Sequence, residues 1–300
     1  MLKSIPMVRD RARELSRSQM PVVAVAGAED DDVLRAVADA QKDGFVRVHL
    51  VGNTAKIQKY LEELKLNAAD FTITDAADPK DAIEKAVALC SRGECRILMK
   101  GKVSTPDLMK AVLSPKAGLR IGKVLSHCAV SEVPGYTKLL SFSDGGVLTT
   151  PDFQQKMCIV ENAIRVSKLL GIHQPKVALL SAFDGADPEH PSSMEMAAVA
   201  QACRVRGLTP FIEGPMTLRT ALTGKPGWKS DVAGDPDIVI ANAIEEINIA
   251  VKTLSNLRNA RFMGVISGAK VPLSLVSRSD PPENKMASLA LAAVVAGEAK

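Results

Sequence analysis

The sequence predicts an α/β protein built on a largely parallel, helix-covered sheet. Three observations carry that prediction. Apolar runs of strand length alternate with helix-length amphipathic segments almost throughout. Several helical segments open on cap signals, at Thr105-Pro106, Thr150-Pro151 and Ser192-Ser193-Met194-Glu195. The length, 300 residues, suits two domains or one large α/β unit.

The first 20 residues alternate charged and apolar side chains, which marks an amphipathic helix rather than a signal peptide. Strands are expected at 21–27, 46–52, 71–74, 96–100 and 124–130, then at 136–143, 176–182, 237–242, 261–267 and 271–277. Near residues 130–152 the rhythm changes. Two strand-like runs follow one another through EVPGY, and SDGGVLTTPD leads into a long helix over 152–170. Hairpin pairing there marks a passage between two lobes, with the helix after Asp280 returning to the first. The expected lobes are 1–140 with 281–300, and 141–280.

Composition narrows the classes of function. Apolar residues at 46% are ample for a core, and aromatics at 3% leave it to Ala, Val, Leu and Ile. Basic side chains number 38 against 34 acidic, a formal charge of +4 without clustering, which argues against a nucleic-acid surface and for a small anionic partner. The longest apolar stretch, 287–297, is too short to span a bilayer. Five cysteines without CxxC spacing fit reduced thiols in the cytoplasm. His49, His127, His173 and His190 lie far apart without cysteine neighbours, so no zinc site is expected.

Four strand-to-helix junctions compete as anion sites. AVAGAEDDDVL lacks GxGxxG, and Glu29, Asp30, Asp31 and Asp32 would repel a phosphate. Those acids complement a helix dipole instead, and nicotinamide binding there is disfavoured. In LMKGKVSTPDLMK, Lys100 and Lys102 flank Gly101 after a buried strand, with Ser104 at the helix start. Ammonium groups, a flexible glycine and hydroxyls suit phosphate, although solvated loop lysines explain the same pattern. Asn242 and Asn248 flank another helix start, as caps or as ligand contacts, while Gly268 and Lys270 lie between two apolar strands. The last junction is VPLSLVSRSDPPENK. Asp280, Pro281 and Glu283 form a helix cap, but a cap leaves Ser277 and Arg278 unexplained. An arginine fork grips two phosphate oxygens together, so a functional role is favoured for Arg278.

AVAGAEDDDVLRAV, KGKVST, HCAVSEVPGYTKLLSFSDGG, SMEMAAVA, VAGDPDIVIANAIEEINIAVK and SGAKVPLSLVSRSD occur in this order across nearly the whole chain. Together they resemble the phosphate acetyl/butyryltransferase family, GAKVPLSLVSRSD being the most specific. The resemblance implies a two-lobed α/β/α fold of the isocitrate/isopropylmalate dehydrogenase kind, with the active site in the inter-lobe cleft. It implies acyl transfer between coenzyme A and phosphate, with coenzyme A as a substrate and no tightly bound cofactor. A homo-oligomer, a dimer or larger, is expected.

The resemblance also places Ser277 and Arg278 in the active site and a nearby carboxylate as base on the thiol, with Asp280 and Glu283 both open as candidates. Substrate contacts are expected at Lys100, Lys102, Ser104, Asn242, Asn248, Gly268 and Lys270. One departure is visible. The family often carries Gly-Asn where this chain has Ile247-Asn248. Ser277 is expected to donate a hydrogen bond and not to act as a covalent nucleophile, and Cys128 to be a core thiol. The rival classes are a dehydrogenase of the same fold and a non-catalytic acyl-CoA- or anion-binding protein.

Overall fold

A computed structural model describes residues 1–122, 124–275 and 282–298, Pro282 by its backbone alone. In chain order it contains α1 (Ile5–Ser16), β1 (Val22–Ala26), α2 (Asp31–Lys42), β2 (Arg47–Gly52), α3 (Thr54–Glu63), β3 (Thr72–Asp75), α4 (Pro79–Ser91), β4 (Ile97–Lys100) and α5 (Thr105–Leu113). Next come β5 (Ser126–Glu132), β6 (Leu140–Ser143), α6 (Phe153–Leu169), β7 (Val177–Leu180), α7 (Pro191–Val205), β8 (Ile212–Met216), α8 (Leu218–Thr223), β9 (Ile238–Ile240) and α9 (Ile244–Arg258). The chain ends with β10 (Arg261–Ser267), β11 (Leu273–Ser274) and α10 (Pro282–Glu298).

The chain divides into two compact units. The first holds Ile5–Ile121 and Met263–Lys300, the second Met1–Ser4 and Gly122–Phe262. These divisions differ from lobe boundaries drawn at residues 140 and 280. The reason is pairing: β5 and β6 form an antiparallel ladder, Cys128 to Ser143 through Ser131 to Leu140, and a hairpin of this kind stays with one unit.

In the first unit the strands run in the order β3-β2-β1-β4-β11, all parallel, with β10 antiparallel beside β11. In the second they run β5-β6-β9-β7-β8, parallel from β6 onward. The parallel strands β1, β4, β7 and β9 are almost wholly buried, as a helix-covered sheet requires.

Three sequence expectations are corrected here. β8 was not expected because its run, IEGPM, contains Gly-Pro. Proline is tolerated on an edge strand, and β8 closes the strand order of its unit. The caps of α5 and α6 are Ser104 and Asp152, each one residue or more away from the Thr-Pro pairs that suggested them. Asp152 and Gln155 form a reciprocal capping box. The serines before Glu195 make no such box. α7 starts at Pro191, Ser193 Oγ lies 2.8 Å from the His190 carbonyl, and Glu195 instead accepts from Lys156 Nζ at 2.6 Å.

The backbone approaches itself closely between the exits of β1 and β4. A Cβ on Gly101 would stand 2.1 Å from the Gly27 carbonyl oxygen, and the Lys102 N–H donates to that same oxygen at 2.6 Å. Gly101→Ala should therefore lower stability by roughly 2 kcal/mol or more, since the backbone itself must give. Gly44→Ala, with a positive φ of 82° but nothing near its Cβ, should cost only about 1 kcal/mol. Denaturant unfolding of both variants checks the order; equal losses would contradict it.

Candidate active site

β1, β4 and β11 are parallel neighbours, so their carboxyl ends emerge on one edge of the first unit's sheet. In the chain, α2 follows β1, α5 follows β4 and α10 follows β11. Helix amino ends gathered at strand carboxyl ends form the standard anion-holding edge of α/β folds.

In the acidic turn after β1, three carboxylates have local partners. Glu29 Oε1 accepts the Asn53 N–H at 2.7 Å, and Asp30 caps α2 by accepting the Val33 N–H at 3.0 Å. Asp32 pairs with Lys285 of α10 at 3.0 Å. The Lys285 side chain is 3% exposed against 54% for Asp32, so the pair ties the start of α10 to the start of α2.

At the β4 exit, Lys100 is buried, with Nζ 3.2 Å from the Gly101 carbonyl, while Lys102 is exposed. Ser104 is spent structurally, accepting the Asp107 N–H at 3.4 Å. The two lysines thus differ: one is held inside the edge and one faces solvent. Ser274 Oγ, at the carboxyl end of β11, is buried and makes no hydrogen bond among the described residues. Ser277, Arg278 and Asp280 lie outside the described residues. Glu283 is exposed in the first turn of α10.

The register separates Gly268 and Lys270 from this edge. Leu273 pairs with Leu98 and Ser274 with Met99, so β11 points toward Lys100, and the chain reaches it from Gly268 and Lys270 at the opposite end. There the Lys270 N–H donates to the Leu119 carbonyl at 2.7 Å, and Arg120 bridges Ala269. Gly268 has φ +105°, which explains its glycine as a turn requirement.

In the second unit, Asn242 follows β9 and Asn248 lies exposed on α9. Neither caps α9, whose N-cap is Ala243 without a side-chain bond. Asn242 Nδ2 donates to the Leu180 carbonyl at 3.4 Å, and its buried Oδ1 finds no donor among the described residues. An unmet amide acceptor is costly in an ordinary turn, so the capping role considered for Asn242 does not account for it.

Sequence reasoning passed over Asp144 as a site residue. Burial pushes its carboxyl above the ordinary range, against hydrogen bonding from Gly146 and the nearby His127 ring. Its legible signal was Asp-Gly-Gly after a strand. Asp184 behaves oppositely. Burial works to raise it, but donors at Thr217, Lys225 and Thr220 outweigh burial and bring it to about 2. It ties the loops after β7 and β8 together.

Burial pushes the Cys128 thiol up to about 12 and Cys95 and Cys203 up to about 11, which removes thiolate character from all three. Cys128 is 1% exposed, as its apolar setting implied. Among the described residues, no group of three or more His, Cys, Asp or Glu side chains is placed to hold a metal ion.

The fold defines the class: an α/β protein of the isocitrate/isopropylmalate dehydrogenase-like fold. The chain belongs to the family described as "Phosphate acetyl/butaryl transferase", which matches residues 7–82 and 77–293. It is 36% identical to phosphate butyryltransferase of Clostridium acetobutylicum, over 95% of this chain and 96% of that one. It is 37% identical to phosphate acetyltransferase of Thermotoga maritima, over 97% of this chain and 100% of that one. A solved branched-chain phosphotransacylase from Enterococcus faecalis superposes with a TM-score of 0.82 at 29% identity, covering 92% of this chain and 99% of that one.

The Asp32–Lys285 pair yields a direct test of the edge. Asp32→Asn leaves a buried ammonium without its partner and should cost about 2 kcal/mol or more. Lys285→Met removes the charge with the need for it and should cost clearly less. Thermal or denaturant unfolding measures both, and the reverse order would contradict the pair's proposed role.

Proposed function

We propose that the chain moves a short acyl group, butyryl-like, branched or acetyl, between coenzyme A and inorganic phosphate. The observation that carries this reading is the family match over nearly the whole chain, joined to a cationic strand edge free of a dinucleotide turn. Near-equal identity to a butyryl- and an acetyltransferase leaves the acyl length to the pocket's own side chains.

In the proposed reaction the coenzyme A sulfur attacks the carbonyl carbon of an acyl phosphate in a ternary complex. The C–S bond forms, the bond from carbon to the phosphate oxygen breaks, and inorganic phosphate leaves with the electron pair. A carboxylate, Asp280 or Glu283, takes the thiol proton. Arg278 holds the departing phosphate, and Ser277 donates to the oxygen that gains charge. Lys100 and Lys102 supply positive potential along the same edge, Ser104 fixes the helix start beside them, and Asn242 and Asn248 contact substrate. Gly268 and Lys270 are the least supported of these contacts, because the register sets them beyond the other end of β11. No tightly bound cofactor is part of this reading. A cytoplasmic setting is supported by cysteines that form no disulfide. Assembly as a homo-oligomer belongs to the same proposal.

Purified protein should release thiol from butyryl-CoA only when phosphate is present, with butyryl phosphate formed in equal amount. Thiol release indifferent to phosphate, or consumption of a nicotinamide, would sink the reading in favour of its rivals. Arg278→Lys keeps the charge and loses the fork, and should cut turnover by about tenfold or more. Asp280→Asn and Glu283→Gln, each measured for rate and melting temperature, assign the base. The variant that loses rate at unchanged stability carries it.

A further inference from the structure

Asp144 sits at the carboxyl end of β6 and is 4% exposed. Its carboxylate gathers four backbone N–H groups. Oδ1 accepts from His127 at 3.1 Å, Gly146 at 2.8 Å and Val147 at 3.1 Å, and Oδ2 accepts from Leu148 at 3.0 Å. One side chain therefore folds the whole 144–148 loop around itself.

At two residues of that loop a Cβ would crowd a neighbouring side chain. A Cβ on Gly145 would stand 2.7 Å from Ile247 Cγ2, and one on Gly146 would stand 3.1 Å from His127 Cβ and Cγ. The loop thus threads between β5 and α9. It then delivers the Thr149 carbonyl, which accepts the N–H of Ile244, the first residue of α9, at 3.2 Å.

The start of α9 leans on this loop. Its N-cap, Ala243, supplies no side-chain acceptor for the free N–H groups of the first turn. Ile247 is its only fully buried residue, and Ile247 rests on Gly145. The position where the family often has glycine is therefore filled here by an isoleucine whose space the loop provides. Asn242 enters the same helix start, its N–H directed to Glu246 Oε2 at 3.4 Å.

We propose that Asp144 is a positioning residue: by folding the 144–149 loop it sets the start of α9, and with it Asn242 and Asn248, for acyl-CoA binding. The substrate half of this inference rests on the acyltransferase reading; the hold of Asp144 on α9 does not. Asp144→Asn replaces one acceptor oxygen by a donor facing an N–H, so at least one of the four bonds is lost. Hydrogen exchange should then quicken in residues 144–149 and 244–248 while β5, β7 and β9 keep their protection. The KM for acyl-CoA should rise by about tenfold, with the KM for phosphate within about twofold of normal. Gly145→Ala pushes on Ile247 without touching the carboxylate and should give the same split, which keeps the test decisive if Asp144→Asn fails to fold.

Unchanged exchange at 244–248 in a folded variant would overturn the inference. So would exchange raised throughout the unit with both KM values moved equally, the signature of a merely structural residue. Wild-type protein without phosphate-dependent thiol release would defeat the functional reading alone, and the exchange comparison would still decide the role of Asp144.

Discussion

The contact of Gly101 with the Gly27 carbonyl is the constraint on which the cationic edge depends. Gly27 has φ +71°, and a Cβ there would meet Val103 Cγ1 at 2.6 Å. With neither residue bearing a side chain, the chains leaving β1 and β4 close to hydrogen-bond distance, Gly101 N–H donating to Ala26 and Lys102 N–H to Gly27. That closure sets where the lysines go. Lys100 ends a buried strand and keeps its stem inside, whereas Lys102 emerges beyond the turn. It also sets the start of α5, capped two residues further on by Ser104.

Charge on this edge is sorted by use. The carboxylates of Glu29, Asp30 and Asp32 are each committed to an N–H or an ammonium. Bonded in this way they contribute local order, and the Lys285 ammonium offsets the charge of Asp32. In the second unit, Asp144 does comparable work with backbone donors alone. Buried carboxylates of this kind are expensive unless fully hydrogen-bonded, and where they occur they fix a loop in one conformation.

Much of the fold was legible because its signals are local. Strand-length apolar runs gave β1, β2, β4, β7 and β9 within a residue or two at most ends, since a parallel sheet buries both faces and leaves little polar interruption. β8 was hidden because tolerance of a Gly-Pro step depends on an edge position that sequence does not display. The caps went astray by a residue or two where several hydroxyls and carboxylates competed for the same N–H groups. At the site, KGKVST announced its chemistry through residue type and spacing. Asp144 did not, because its role lies in four backbone donors, one brought from β5 and three from its own loop. Gly268 and Lys270 looked equivalent to Lys100 in a linear reading, and only strand direction tells the two ends of β11 apart.

The central claim is direct transfer between thiol and phosphate, with no acyl group parked on the protein. The burial of Cys90, Cys95, Cys128 and Cys203 supports it, since burial raises each thiol. Exchange of isotopically labelled coenzyme A into butyryl-CoA tests it most directly. In the absence of phosphate no label should enter butyryl-CoA, and added phosphate should start exchange at a rate comparable to turnover. Label entering butyryl-CoA without phosphate would require an acyl-enzyme and would contradict the account.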